Sequence, residues 1–326
     1  MKYIHRMIGR VIAGTLIVGS TTGVHAQTEL GVEAGLRTDY LRWNIADPFG
    51  QPNILSELTW KNVDSHYLNA HVAYKDGDFN LRGDYGYGQI TRGDNQDSDY
   101  DGNNRTLEFS RSNNKSNGDD VSDAKLGVGI EIANLKLPSI QFTPWVGLSR
   151  HQQNLRMTHG VQTVPASGLF DGLNSTYKAE WSGPWAGLNA RMQLDGKFVI
   201  RASLEHHWAD YSGQGNWNLR DCLAHPKSFS HDAKGGGNNI GLSADVELDA
   251  NLTLTLSMAD SRWVTSSGSD TTHLAPDFYT RRDSNGQLAC IDQVVLPQDQ
   301  IFDFSTPLNE VKWNTRSYMV GINMRL

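Results

Sequence analysis

The chain has 326 residues, of which 38% are hydrophobic and 20% charged, with two cysteines and a formal net charge of −7. An acidic balance argues against nucleic-acid binding, which needs a basic face. The apolar fraction is low for a domain that must fill a large core, and beyond residue 26 no apolar run approaches the roughly 18 residues of a membrane-spanning helix.

The first 26 residues read as a secretory leader. Lys2, Arg6 and Arg10 precede the short apolar run from Val11 to Gly19, and Val24-His25-Ala26 offers small or apolar residues where a signal peptidase reads. Cleavage after Ala26 leaves one domain over 27–326. The leader takes three basic residues with it and no acid, so the mature chain is more acidic still. There is no internal repeat and no Pro-rich linker.

Period-two alternation dominates the rest. Phe79, Leu81, Tyr85 and Tyr87 alternate with Asn80, Arg82, Asp84 and Gly86; Leu126, Val128, Ile130 and Ile132 with Lys125, Gly127, Gly129 and Glu131. Phe198 to Glu205 and Ile240 to Leu248 repeat the pattern, with one apolar face and one charged face. Ten strands are predicted, at about 29–43, 53–75, 79–92, 122–133, 140–157, 176–194, 197–212, 237–248, 252–267 and 309–326. Their links alternate between tight turns (Asp76-Gly77, Leu135 to Ser139, Asp195-Gly196, Asp249 to Asn251) and long polar segments near 44–52, 93–121, 158–175, 213–236 and 268–308. Tyr318, Val320, Ile322, Met324 and Leu326 carry the alternation to the last residue. Short turns on one rim, long loops on the other and an even strand number are the pattern of an outer-membrane barrel. The expected fold is all-β: a monomeric, ten-stranded antiparallel up-and-down transmembrane β-barrel with long extracellular loops, in an outer membrane. Arg82, Asp84, Glu131, Arg191, Arg201, Glu205, Asp245 and Glu247 would face its lumen, where mixed signs suit paired charges better than a wide pore.

Candidate chemistry concentrates in 93–102, Gly-Asp-Asn-Gln-Asp-Ser-Asp-Tyr-Asp-Gly. One reading is a solvated acidic loop tip, since Asp, Asn, Ser and Gly are turn residues. A second is calcium: Asp97, Asp99, Asp101, Gly102 and Glu108 fit D-x-D-x-D-G-x5-E, in which alternate carboxylates converge on a hard cation and a final Glu binds through both oxygens. Tyr100 and Asn104 depart from that pattern.

A third reading comes from resemblance. Ser56-Glu57-Leu58-Thr59-Trp60-Lys61 resembles the S-x-L-x-W-K stretch of the omptin superfamily of outer-membrane proteases and adhesins, and Asp97-Ser98-Asp99-Tyr100 resembles their D-x-D-W segment. The segments NILSELTWKN and DSDY resemble the Protochlamydia outer membrane protein family still more closely. The omptin resemblance implies that Asp97 and Asp99 form one catalytic pair, that an Asp-x-His pair faces them, and that lipopolysaccharide is an accessory lipid. Counted along the seventh strand, that second pair falls on Asn216-Trp217-Asn218, and neither Asn can take a proton near neutral pH. His225 and His231 are the substitutes the same segment offers.

Two further groups are candidates. Cys222 and Cys290 both lie in long loops of a secreted chain and are expected to pair. His206 and His207 are adjacent in a strand, face opposite sides and cannot share a metal. The sequence thus leaves three functions open. They are a non-proteolytic surface barrel whose loops bind an extracellular ligand or ion, an omptin-like endopeptidase, and a narrow pore.

Overall fold

The computed structural model describes residues 26–132, 140–276 and 303–326. Residues 1–25, 133–139 and 277–302, the last with Cys290, lie outside the described residues. Thirteen strands form one antiparallel sheet: β1 (Gln27–Ile45), β2 (Ser56–Asp76), β3 (Phe79–Gly102), β4 (Thr106–Lys115), β5 (Asp120–Ile130), β6 (Ile140–Val164), β7 (Ala166–Phe170), β8 (Ser175–Gln193), β9 (Phe198–Asn216), β10 (Phe229–Glu247), β11 (Leu252–Thr265), β12 (Gly268–Thr272) and β13 (Phe304–Arg325).

The sheet closes on itself, because β1 pairs with β13 from Glu29↔Arg325 to Ile45↔Leu308. Around the ring there are ten strand positions. β5 and β4 share one, pairing the lower and upper parts of β3 with β6. β11 and β12 share another, between β10 and β13. β7 is a short flap on the upper end of β6. The ten predicted strands are therefore found, and closure leaves no unpaired edge in the bilayer.

The outer face shows where the bilayer lies. Leu30, Val32, Leu36, Leu68, Val72, Leu126, Val128, Val146, Leu148, Leu204, Ile240, Leu242, Leu256, Val320 and Ile322 all point outward and are exposed. Tyr85, Tyr87, Trp208 and Tyr318 top this band. Above it the outer face turns charged, with Arg92–Asp64 (2.5 Å), Arg150–Glu180 (2.8 Å) and Arg316–Asp260 (2.8 Å). An apolar band capped by aromatics and then by charge is the outer surface of a membrane barrel.

The strands outrun that band. β3 has 24 residues and β6 has 25, whereas about 9–11 cross a bilayer. The segments 93–121, 213–236 and 268–308 are expected to be loops; much of the first two, and Gly268–Thr272 of the third, prove to be strand, rising above the membrane as β3's upper half, β4, the start of β10, and β12. There the outer face no longer meets lipid, so the apolar-out alternation stops although the ladder continues.

Inside, the upper barrel is filled with rings. Trp43, Trp60, Tyr177, Trp181, Tyr211, Phe229, Trp263 and Trp313 form one buried cluster. Trp263 and Trp313 are direct cross-strand partners, stacked at 5.1 Å. Trp181 lies 5.6 Å from Trp263, and Trp60 stacks on Tyr177 at 5.3 Å. Two glycines make room: a Cβ at Gly213 would sit 2.3 Å from the Tyr177 hydroxyl, and one at Gly215 would sit 2.2 Å from the Phe229 ring.

Candidate functional site

Below the rings the lumen holds charge, as the alternation predicts. Glu205 accepts from Arg82 (2.5 Å), Lys125 (2.9 and 3.0 Å) and Asn239 (3.2 Å), and contacts His207 Nε2 at 3.2 Å. Asp123 takes Arg37, Tyr67 (2.5 Å) and His151 (2.7 Å). Arg37 also forks onto Asp39 (2.8 and 3.0 Å), which accepts the Trp313 indole N–H (2.8 Å). Paired, multiply bonded ions are the form in which a low-dielectric interior tolerates charge. His206 and His207 point to opposite faces, to Asn238 outside (2.8 Å) and to Ser149 inside (2.9 Å).

At the upper edge of the ring layer, β3 carries Asp97 and Asp99 on its inward face. Register fixes this: Asp97 lies opposite Leu58 and Asp99 opposite Ser56 on β2, and Leu58 belongs to the buried cluster. Ser56 and Ser110 stand opposite Asp99 on the two neighbouring strands and favour its charged form. Burial and the Asp99 charge push the Asp97 carboxyl well above the ordinary carboxylate range. Burial raises Asp99 as well, against the two serines and the field of Arg220. Two carboxylates of raised pKa at the mouth of a barrel are a candidate functional pair.

The calcium pattern does not survive the backbone. Alternate residues of a strand point the same way about 6–7 Å apart instead of converging on a point. A bulge between Asp99 and Tyr100 puts Glu108 opposite Tyr100, and Arg111 takes both Glu108 oxygens. Asp101 is exposed near the end of β3. Asp97, Asp99, Asp101 and Glu108 are therefore not brought together, and among the described residues no three His, Cys, Asp or Glu side chains could hold a metal.

The expected partner positions are placed elsewhere too. Along β9 the even residues face out, as Trp208 and Asp210 show, so Asn216 faces out and bonds His225 (2.7 Å). Asn218 clamps a turn, accepting from the Asn174 amide (2.9 Å) and Ser175 hydroxyl (3.0 Å) and donating to the Gly172 carbonyl (2.7 Å). Arg220 is the group whose charge reaches Asp97 and Asp99.

One His–Asp contact was invisible to sequence spacing. His231 on β10 meets Asp270 on β12 at 3.1 Å, and its Nδ1 lies 2.8 Å from the Tyr177 hydroxyl. These residues are 39 positions apart and join only because β12 pairs with the start of β10. Thr306 donates to Asp270 at 3.0 Å, and Trp43 meets His231 edge-to-face at 4.7 Å. His231 is 0% exposed. Its Nδ1 is taken by Tyr177, its Nε2 lies against Asp270 without a hydrogen bond, and water has no access to the ring in this arrangement.

A closed antiparallel barrel with an apolar belt, a polar lumen and strands rising beyond the belt defines an outer-membrane β-barrel protein. The family model of the Protochlamydia outer membrane protein matches residues 31–326, and the chain belongs to that family. No curated protein matches the sequence. Among solved structures, outer membrane protease OmpT from Escherichia coli is similar, with a TM-score of 0.71 at 11% identity, covering 94% of this chain and 99% of that one. The translocator domain of autotransporter NalP from Neisseria meningitidis also aligns, at TM-score 0.36 and 11% identity, over 91% of this chain and 88% of that one. The similarity to OmpT is one of fold. It agrees with the omptin-like architecture expected from the Ser56–Lys61 and Asp97–Tyr100 motifs.

Proposed function

We propose that the protein is a non-proteolytic surface barrel that binds an extracellular ligand in its mouth, with Asp97 and Asp99 as the recognition pair for a cationic group. The observation that carries this reading is the wall opposite the pair. Arg220 is felt there in place of a histidine base, and His231 is locked between Tyr177 and Asp270. General-base catalysis asks for an accessible imidazole within reach of the attacked water. A carboxylate pair can hold an ammonium or guanidinium without one. We also propose a Cys222–Cys290 disulfide. Cys222 is buried, and its carbonyl accepts the Ala275 amide at 3.0 Å, which brings the residues just after β12 alongside Cys222.

The test is incubation with fluorogenic basic peptides, with and without lipopolysaccharide, beside a binding titration with the same peptides. The expected result is saturable binding, weakened in Asp97→Asn, and no turnover. Cleavage by the wild type that disappears in Asp97→Ala would establish the endopeptidase instead, with His231 as the base to examine.

A further inference from the structure

Beneath the aromatic layer lies a second space, whose wall includes neither Asp97 nor Asp99. It is a cavity of about 720 Å³ that runs from Gln27 and Arg325 at the periplasmic rim up to Trp263 and Trp313. That volume is in the range of small-molecule sites. Most charges on its wall are paired: Lys75 with Glu131, Arg82 and Lys125 with Glu205, Arg37 with Asp123, His71 with Glu29. Arg191 and Arg325 form no ion pair among the described residues.

Arg191 is the anomaly. It stands directly opposite Arg201 on the neighbouring strand, and both point into the cavity. Like charges at directly opposed positions destabilise a sheet. Arg201 is neutralised by Asp245. Arg191 touches only amides, donating to Gln193 at 2.9 Å and Gln141 at 3.4 Å, and it feels the positive charge of both Arg201 and Arg325. Glu247 and Asp245 act on it only through their fields, without an ion pair. Elsewhere in this lumen the arginines at positions 37, 82 and 201 each have a carboxylate.

We propose that Arg191 and Arg201 form a clamp for a small oxyanion, a carboxylate or phosphate, entering from the periplasmic side. Two guanidinium forks side by side match such a group, which accepts paired charge-assisted hydrogen bonds. An oxyanion between them also converts their repulsion into two attractions. Arg325 at the rim adds its field to draw the anion in. The same chemistry has two sources, a soluble periplasmic anion or the headgroup of an inner-leaflet phospholipid.

The test uses the full-length mature barrel in a non-ionic detergent, titrated with inorganic phosphate by calorimetry, with chloride as control. Wild type should give one saturable site that raises the temperature at which the folded band is lost on electrophoresis. Arg191→Gln should weaken phosphate about tenfold or more, the loss expected for a charge-assisted hydrogen bond. Without phosphate the same variant should be as stable as wild type or more so, because a like-charge pair has gone. Arg191→Lys should recover part of the affinity. Native mass spectrometry separates the sources: one phospholipid retained by wild type and lost in Arg191→Gln identifies a headgroup. The proposal is overturned if phosphate gives no saturable heat and no lipid is retained. It is equally overturned if Arg191→Gln destabilises the anion-free barrel while binding is unchanged, since Arg191 would then be a structural residue.

Discussion

At the scale of single residues, Asp97 is the position where stability and purpose conflict. Its carboxyl is held well above its ordinary value of 3.8 by burial and by Asp99. The folded chain therefore keeps a proton that the unfolded chain releases, so stability falls as pH rises above about 4. The slope is at most about 1.4 kcal/mol per pH unit for each such group. Asp97→Asn removes the penalty. It should raise the denaturation midpoint at pH 7 and flatten the pH dependence, while weakening the binding of cationic peptides. A lower midpoint at pH 7 would show that Asp97 is held ionised by partners instead. Glu205 gives the opposite case. It is 2% exposed and neutralises Arg82 and Lys125. Glu205→Gln leaves Lys125 without a carboxylate in the lumen and Arg82 with only Asp84 at 3.6 Å, and breaking such a buried pair costs about 3–5 kcal/mol. The measurement is equilibrium urea unfolding in detergent. A loss below about 1 kcal/mol would mean that water screens this network.

At the scale of elements, the sequence made the membrane part of each strand readable and hid the rest. Leu126 to Ile132 and Phe198 to Glu205 alternate because lipid lies on one side and paired charge on the other. Asn95, Ser98 and Ser112 are just as much strand residues, but with water outside and a polar mouth inside no period-two hydropathy marks them. Asp97 to Gly102 thus reads as a loop and is the upper end of β3. The Asp97/Asp99 half of the site was legible because both residues lie two apart on one strand. The His231–Asp270 contact was not, because it depends on which strands pair, and the β9 parity that sends Asn216 outward follows from register alone. The aromatic packing has a similar hidden requirement at Gly213. A β-branched side chain there collides with Tyr177, and Gly213→Val should cost about 1–3 kcal/mol through forced repacking. The proposed Cys222–Cys290 link can be read in the same preparation. The unreduced, denatured protein should label no thiol, and its reduction should remove up to about 4 kcal/mol of stability by the chain-entropy estimate. Two labelled thiols in the unreduced protein would refute the link.

At the scale of the whole molecule, we read the barrel as two chambers parted by the ring layer. The upper one holds Asp97 and Asp99, and the lower one is the cavity that runs from Arg325 to Trp263 and Trp313. Between them stand Trp181, Trp263 and Trp313, each no more than 3% exposed, braced by the Arg37–Asp39–Asp123 cluster. The Trp313 indole is tied to Asp39, so the ring layer is fixed at one edge as well as packed. Opening a path would mean removing stacked rings and breaking buried ion pairs together, far more than thermal motion supplies. Wild-type protein in planar bilayers should therefore show no steady conductance at either polarity. Trp263→Ala combined with Trp313→Ala removes the two rings that roof the lower chamber, and this double variant should remain a heat-modifiable barrel while passing small ions. Steady wild-type channels that are insensitive to those two substitutions would mean that ions bypass the ring layer, and the narrow-pore reading would then replace the two-chamber one.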